Sequence, residues 1–296
     1  MFNVAALAPV LQSLFTTRAD ELAQSTGFIR RRRGFTGSEF LEALVLGWHR
    51  RPDATLEDLA LPLGVSRQAL QQRWSAPRAD FCSRALLDAL GHAFAARPEV
   101  FPLLERFAGA FIDDSTQLWL PDACTGEFPG NNRGGGLPGK ARMKALAREV
   151  CRWTVLFTNV PSGWLTAEQV WLVYRLRWQV EQLSKRLKSE GGMRRNRSED
   201  PRRVECEWHL KLLGQLARNW PQLLRGGPML DVNPRQMGRV IADWLKVLSR
   251  ALPALAELVR ALSELRQELM RLRRRTRRRS RKTAHQLLRE QIAPAA

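Results

Sequence analysis

The 296-residue chain has few acidic residues for its size, and it contains no long apolar run. Its 29 Asp and Glu stand against 48 Lys and Arg, which leaves a net charge of +19. Such an excess repels itself in a compact protein and is typical of proteins that bind a polyanion. No stretch reaches the roughly 18 apolar residues that a membrane span requires. We therefore expect no membrane span, and nucleic acid rather than an anionic membrane surface as the partner.

Cysteine is also scarce. The four cysteines, Cys82, Cys124, Cys151 and Cys206, form no C-x-x-C pair and have no histidine cluster beside them. Zinc sites place such ligands at short, regular spacings, so no zinc site is expected. The N-terminal residues lack the basic lead-in and the cleavage site of a secretory signal, which argues against a disulfide framework. The pattern predicts a cytoplasmic, nucleoid-associated protein.

Helical periodicity dominates the chain, with β-rich runs near its middle. Residues 1–34 are predicted to be a helix followed by four arginines, and residues 38–95 a compact set of helices. Residues 109–121 and 153–158 predict strands, and one long helix is expected from Thr166 to about Glu190. The fold class predicted is α/β, mostly helical. Its parts are an all-α N-terminal domain at 1–100, an α/β core at 105–225, and C-terminal helices with a basic tail at 226–296.

The segment from Thr55 to Trp74 has the pattern of a helix-turn-helix. Ser66 is a good N-cap for the second helix, which turns Leu70 and Trp74 toward a core. Its other face carries three side chains suited to paired hydrogen bonds with guanine or adenine edges in the major groove: Arg67, Gln68 and Gln71. An ordinary helical hairpin with a solvated polar face fits the same pattern. We predict that these three side chains contact DNA.

The segment from Tyr174 to Lys188 is the most informative part of the chain. At 100° per residue, Tyr174, Arg177, Glu181 and Lys188 lie within about 60° of one another on one helix face. A solvated face with i,i+4 ion pairs would look similar. However, Asp114 lies upstream in a predicted strand, and strand-borne and helix-borne carboxylates are the usual parts of a two-metal phosphoryl-transfer site. Carboxylates suit Mg²⁺, which prefers oxygen ligands.

The spacing Tyr174-x2-Arg177-x3-Glu181-x6-Lys188 resembles the Y-R-E-K signature of the fourth insertion-sequence family of DDE transposases. Asp114-Ser-Thr, followed by Leu-Pro and then Phe-Pro-Gly at 128–130, is similar to the first-aspartate motif of that family. The resemblance covers about residues 20–225. It implies a ribonuclease-H-like core, Mg²⁺ or Mn²⁺ as cofactor, and transposon ends and target DNA as double-stranded partners. By this resemblance Asp114 and Glu181 bind metal, while Tyr174, Arg177 and Lys188 hold DNA phosphates.

The chain departs from this family at the second catalytic aspartate. No aspartate occurs between Asp122 and Asp200, and neither Glu127 nor Glu149 matches the missing position. A glycine-rich connection stands where the family has several core strands, which predicts an internal deletion near residues 131–140. Because phosphoryl transfer depends on positioning, the loss of one carboxylate predicts impaired catalysis. The alternative is an inactive remnant that binds transposon ends or inhibits intact transposase.

Two features of the C-terminal region concern partners. Six leucines repeat at 3-4-3-4-3 spacing: Leu255, Leu258, Leu262, Leu265, Leu269 and Leu272. This seam fits either the pairing of two copies in a homodimer or an amphipathic helix packed on its own core. Residues 271–282 carry nine cations in twelve positions and predict sequence-independent, salt-sensitive binding to a polyanion.

Overall fold

The computed structural model describes ten stretches of the chain, and within them all regular secondary structure is helical: residues 3–31, 34–72, 74–95, 160–161, 163–175, 177–189, 191–193, 196, 198–224 and 234–272. The strands expected at 109–121 and 153–158 lie outside these stretches, and so does Asp114. The chain divides into two compact units. The first comprises residues 1–99, 117–124 and 184–279, and the second comprises the remainder.

The first unit contains most of the described helices, with a 3₁₀ turn at Leu61–Leu63 after α4. They are α1 (Val4–Phe15), α2 (Thr17–Ser25), α3 (Gly37–Arg50), α4 (Leu56–Ala60), α5 (Arg67–Gln71), α6 (Ala76–Ala95), α9 (Pro201–Leu223), α10 (Pro234–Ala251) and α11 (Leu255–Arg271). The second unit contains α7 (Ala167–Arg175) and the first part of α8 (Arg177–Ser189), which passes into the first unit at Ser184. None of the described helices combines the length and the apolar character of a membrane span.

Helix α9 is the central element of the first unit. It packs against α6 and α3, while α11 packs against α10 and α1. Their buried side chains form one continuous core, in which Phe40, Phe81, Leu210 and Leu213 are fully excluded from solvent. Burial of this kind supplies most of the stability of short helices, which are marginal in isolation.

Local sequence signals explain where the N-terminal helices begin. The Thr36 hydroxyl accepts a hydrogen bond from the Glu39 N–H, and the Glu39 carboxylate accepts one from the Thr36 N–H, which completes a capping box. At Gly37 the first turn of α3 approaches α2 so closely that a Cβ would lie 2.6 Å from the Ala19 carbonyl oxygen. Only glycine fits there without displacing the backbone of α2.

One predicted helix was wrong. Residues 1–34 contain two helices rather than one, because the chain turns at Thr16, whose N–H bonds to the Ser13 carbonyl instead of continuing the α-helical pattern. The single helix expected from Thr166 to about Glu190 is described as α7 and α8, and because residue 176 between them lies outside the described residues, its continuity stays a prediction. The compact helical set expected at 38–95 is confirmed as α3 to α6.

The C-terminal leucines pack within the protein's own core. Leu258, Leu262, Leu265 and Leu269 are fully buried on the face of α11 that meets α10 and α1. Leu255, at the start of the seam, is 42% exposed. This packing favours the interpretation of α11 as an amphipathic helix of the protein's own core, since most of the leucine seam is already buried by other helices of the same chain.

Cys82 and Cys206, the two cysteines within the described stretches, are buried and form no disulfide. Burial raises the pKa of the Cys82 thiol, and its hydrogen bond with Cys206 adds to the effect. A thiol with a raised pKa stays protonated and unreactive at neutral pH.

Candidate functional site

Glu181 forms a close ion pair on α8. Its Oε1 lies 2.7 Å from Nη2 of Arg177, one helical turn earlier, and its side chain is only 23% exposed. The pair results directly from the i,i+4 spacing, which brings the two side chains together on one face. The ion pair with Arg177 therefore sets the orientation of the Glu181 carboxylate in this structure.

Arg177 continues this arrangement toward α7. Its guanidinium carbon lies 5.4 Å from the centre of the Tyr174 ring, which in turn stacks on Trp171 with ring centres 5.8 Å apart. Trp171 and Tyr174 are 43% and 40% exposed. The Trp171 ring, the Tyr174 ring, the Arg177 guanidinium and the Glu181 carboxylate therefore contact one another in that order along this surface. Sequence reasoning missed Trp171, although its position three residues before Tyr174 signals a shared helix face.

Helix α7 is fixed at its start by a capping box. The Thr166 hydroxyl accepts from the Gln169 N–H at 3.2 Å, and the Gln169 amide oxygen accepts from the Thr166 N–H at 2.9 Å. Leu172 is buried on the opposite side of the helix from the exposed rings. The cap and this apolar anchor together explain why Trp171 and Tyr174 face solvent.

The donor chemistry of Glu181 fits a divalent cation only in part. A carboxylate oxygen is a ligand that Mg²⁺ accepts, but Mg²⁺ requires near-octahedral coordination and so needs further oxygens. Among the described residues, no group of three or more His, Cys, Asp and Glu side chains could hold a metal ion. The second ligand predicted from sequence, Asp114, lies outside the described stretches. Glu181 can therefore supply one side of a metal site.

The C-terminal end of α8, which carries Lys188, is closed by backbone hydrogen bonds. The Gly191 N–H donates to the Arg186 carbonyl and the Met193 N–H to the Leu187 carbonyl, both at 3.1 Å, which closes the helix. Gly192 has φ +63, and a Cβ there would lie 2.6 Å from the Pro52 Cβ. Glycine is required at this turn both because of the positive φ and because a Cβ would clash with Pro52.

A buried ion pair secures the same turn. The Lys211 ammonium lies 2.6 Å from Glu207 Oε1, donates to the Gly192 carbonyl at 3.1 Å and sits 5.7 Å from the Trp48 ring centre. The side chains of Lys211 and Glu207 are only 5% and 10% exposed. This network links α9 to the end of α8, and it went unrecognised in the sequence because Gly192 and Trp48 are remote from Lys211 along the chain.

The two helices predicted between Thr55 and Trp74 are present as α4 and α5, which follow each other through the 3₁₀ turn. Thr55 and Asp58 form a capping box at α4, and their hydrogen bonds lower the pKa of the Asp58 carboxyl. Gly64, with φ +64, makes the turn, and the Ser66 hydroxyl caps α5 by accepting from the Ala69 N–H. Helices α4 and α5 pack together. The module is small, because α5 has only five residues.

The three predicted DNA-reading side chains lie on the exposed side of α5, opposite the buried Leu70. Gln71 also contacts α9, since its amide oxygen accepts from Arg203 Nη1 at 3.4 Å. Burial lowers the pKa of Arg203, and the nearby positive charge of Arg67 adds to the effect. Arg67, Gln68 and Gln71 therefore share one surface with a cation that sequence reasoning had not identified.

The chain matches a known protein family. The family model described as the transposase DDE domain matches residues 17–217, about two thirds of the chain. Searches of curated proteins and of solved structures find no match. The matched region includes α4, α5, Asp114 and the whole of α8.

Proposed function

The chain belongs to the transposase DDE domain family, and we propose that it is an insertion-sequence transposase with impaired catalysis. It binds the double-stranded ends of its element, and the reaction of its lineage is metal-dependent DNA cleavage and strand transfer. The observation that carries the proposal is the arrangement of Tyr174, Arg177 and Glu181, at the spacing of the Y-R-E-K signature, with the carboxylate oriented by an adjacent cation.

The proposed roles follow from the chemistry of each side chain. Glu181 and Asp114 serve as ligands to Mg²⁺ or Mn²⁺ in a ribonuclease-H-like core. When bound, the metal supplies Lewis-acid activation of the attacking and leaving oxygens. Tyr174, Arg177 and Lys188 hold phosphates of the transposon end, and a guanidinium suits that task because it binds phosphate through two parallel hydrogen bonds.

Catalysis is expected to be impaired because the chain lacks an acidic residue for the second metal-ligand position. Between Asp122 and Asp200 there is no aspartate to take the place of the second metal ligand. Charge developing in the transition state is stabilised by ligands in fixed positions, and one missing carboxylate weakens both metal affinity and alignment. The same observation favours a second candidate function, that of an inactive remnant that binds transposon ends and competes with intact transposase.

End recognition is assigned to α5. In a helix-turn-helix the second helix enters the major groove, and Arg67, Gln68 and Gln71 are its exposed side chains. Gel-shift assays with DNA that flanks the gene test this directly. Selective retardation of a flanking fragment, in the presence of excess unrelated duplex, supports the proposal. Equal competition by unrelated duplex would contradict it.

A further inference from the structure

A cleft of about 300 Å³ lies beside α5, between the arginine-rich loop that follows α2 and the turn that precedes α6. Arg30 and Arg31 line it from the loop, and Gln72 and Ser75 line it from the turn. Phe28, Ile29 and Phe35 complete the lining. All four polar residues have side chains able to donate hydrogen bonds, and the lining contains no acidic side chain.

The loop wall of the cleft has a defined conformation. Gly27 takes φ +72 at the end of α2, and the Ile29 N–H bonds back to the Ala23 carbonyl at 3.0 Å. Between them, Phe28 stacks on Phe81 of α6, with ring centres 5.1 Å apart. These contacts fix the point from which Arg30 and Arg31 project, and both arginines are exposed.

The opposite wall is joined to the loop by one buried side chain. The Arg78 guanidinium lies 4.9 Å from the Phe28 ring centre and 4.5 Å from the Trp74 ring centre. Trp74 stands between Gln72 and Ser75 in the chain. Its Nη1 also donates to the Leu70 carbonyl of α5 at 3.3 Å. Arg78 is fully buried. The two walls are therefore held together before any ligand binds, and such preorganisation lowers the entropic cost of binding.

We propose that this cleft binds a backbone phosphate of duplex DNA and so positions α5 on its site. The inference rests on the proposed function, in which α5 reads the transposon end. Guanidinium, amide and hydroxyl groups are the side chains that contact DNA phosphates, and such contacts set the register of a recognition helix without reading sequence. Gln72 caps the C-terminal end of α5, so the cleft adjoins the reading surface directly.

The test compares a double variant, Arg30→Gln with Arg31→Gln, against a matched control, Arg250→Gln with Arg260→Gln. The control removes two exposed cations from α10 and α11. Fluorescence anisotropy measures binding to a labelled flanking duplex and to a scrambled duplex over a series of KCl concentrations. Each lost phosphate contact reduces the slope of log K against log [salt] by about 0.9. We expect the cleft variant, which loses one phosphate contact, to lower the slope by about 0.9 more than the control, and to weaken both duplexes equally.

Three results would overturn the inference, and they differ from failure of the proposed function. A salt slope equal to that of the control would show that the cleft contacts no phosphate. A larger loss for the flanking duplex than for the scrambled one would mean that the arginines read bases. Binding of the mononucleotide dAMP by the wild type, lost in the cleft variant, would assign the cleft to free nucleotides. Absence of selective duplex binding by the wild type would instead contradict the proposed function itself.

Discussion

Arg177 and Glu181 form an ion pair across a single turn of α8, with Nη2 and Oε1 only 2.7 Å apart. The arginine side chain is 41% exposed, so solvent screens the pair, and such pairs contribute about 1 kcal/mol or less. A contact this weak can be exchanged at little cost. Arg177 orients the carboxylate in this structure, and under the proposed function it also holds a DNA phosphate.

Replacing Arg177 separates these two roles. We expect Arg177→Met to change the free energy of unfolding by less than about 1 kcal/mol, because the pair is partly exposed. Affinity for the flanking duplex should fall several-fold, because a phosphate contact is lost. Urea denaturation and anisotropy measure the two effects. A loss of more than about 2 kcal/mol of stability, with unchanged DNA affinity, would make Arg177 a structural residue only.

The buried pair of Lys211 and Glu207 should behave in the opposite way. Lys211→Met leaves the Glu207 carboxylate buried without its cation, and we expect a loss of about 3–5 kcal/mol in the free energy of unfolding. Adding Glu207→Gln should restore much of that loss. Lys246→Met, which removes an exposed cation from α10, is the control and should have almost no effect. Equal urea midpoints for the Lys211 and Lys246 variants would refute this account of the network.

His49 predicts a pH dependence of stability. Burial lowers the pKa of His49 to about 4, with the charges of Arg218 and Arg50 adding to the effect. Because the unfolded chain binds the proton near pH 6.5 and the folded chain near pH 4, stability falls as the pH drops through this interval. The expected loss is about 2 kcal/mol between pH 7.5 and pH 5.

Urea unfolding of the wild type and of His49→Gln at these two pH values isolates the effect. The variant should lose most of the pH dependence. His209, whose pKa is also lowered mainly by burial, contributes in the same direction and remains in both proteins. Identical pH profiles for the two proteins would mean that His49 titrates normally in the fold.

The α5 surface predicts a change in specificity rather than in overall affinity. Gln68→Ala removes a side chain able to pair with adenine, and we expect discrimination at one base pair to weaken by about 1–3 kcal/mol. The salt slope should stay constant, since glutamine carries no charge. Anisotropy with a set of singly substituted duplexes checks both points. A uniform loss of affinity across the set would place Gln68 away from the bases.

The parts of this structure that sequence could predict are those fixed locally. The capping residues Thr55 and Ser66 act on backbone groups within three residues, so the starts of α4 and α5 were predicted from the chain alone. The pairing of Glu181 with Arg177 is equally local. In contrast, the contact of Gln71 with Arg203 joins positions 132 residues apart. Such contacts depend on how α5 and α9 pack, which no local pattern encodes.

The most direct test of the central claim is metal-dependent cleavage of an end-labelled duplex that flanks the gene, with Glu181→Gln as the control and Mg²⁺ or Mn²⁺ present. The account predicts that both proteins bind the duplex selectively, and that the wild type cleaves it little faster than the control. Rapid cleavage by the wild type that disappears in Glu181→Gln would contradict it, because it would show that another residue replaces the missing aspartate.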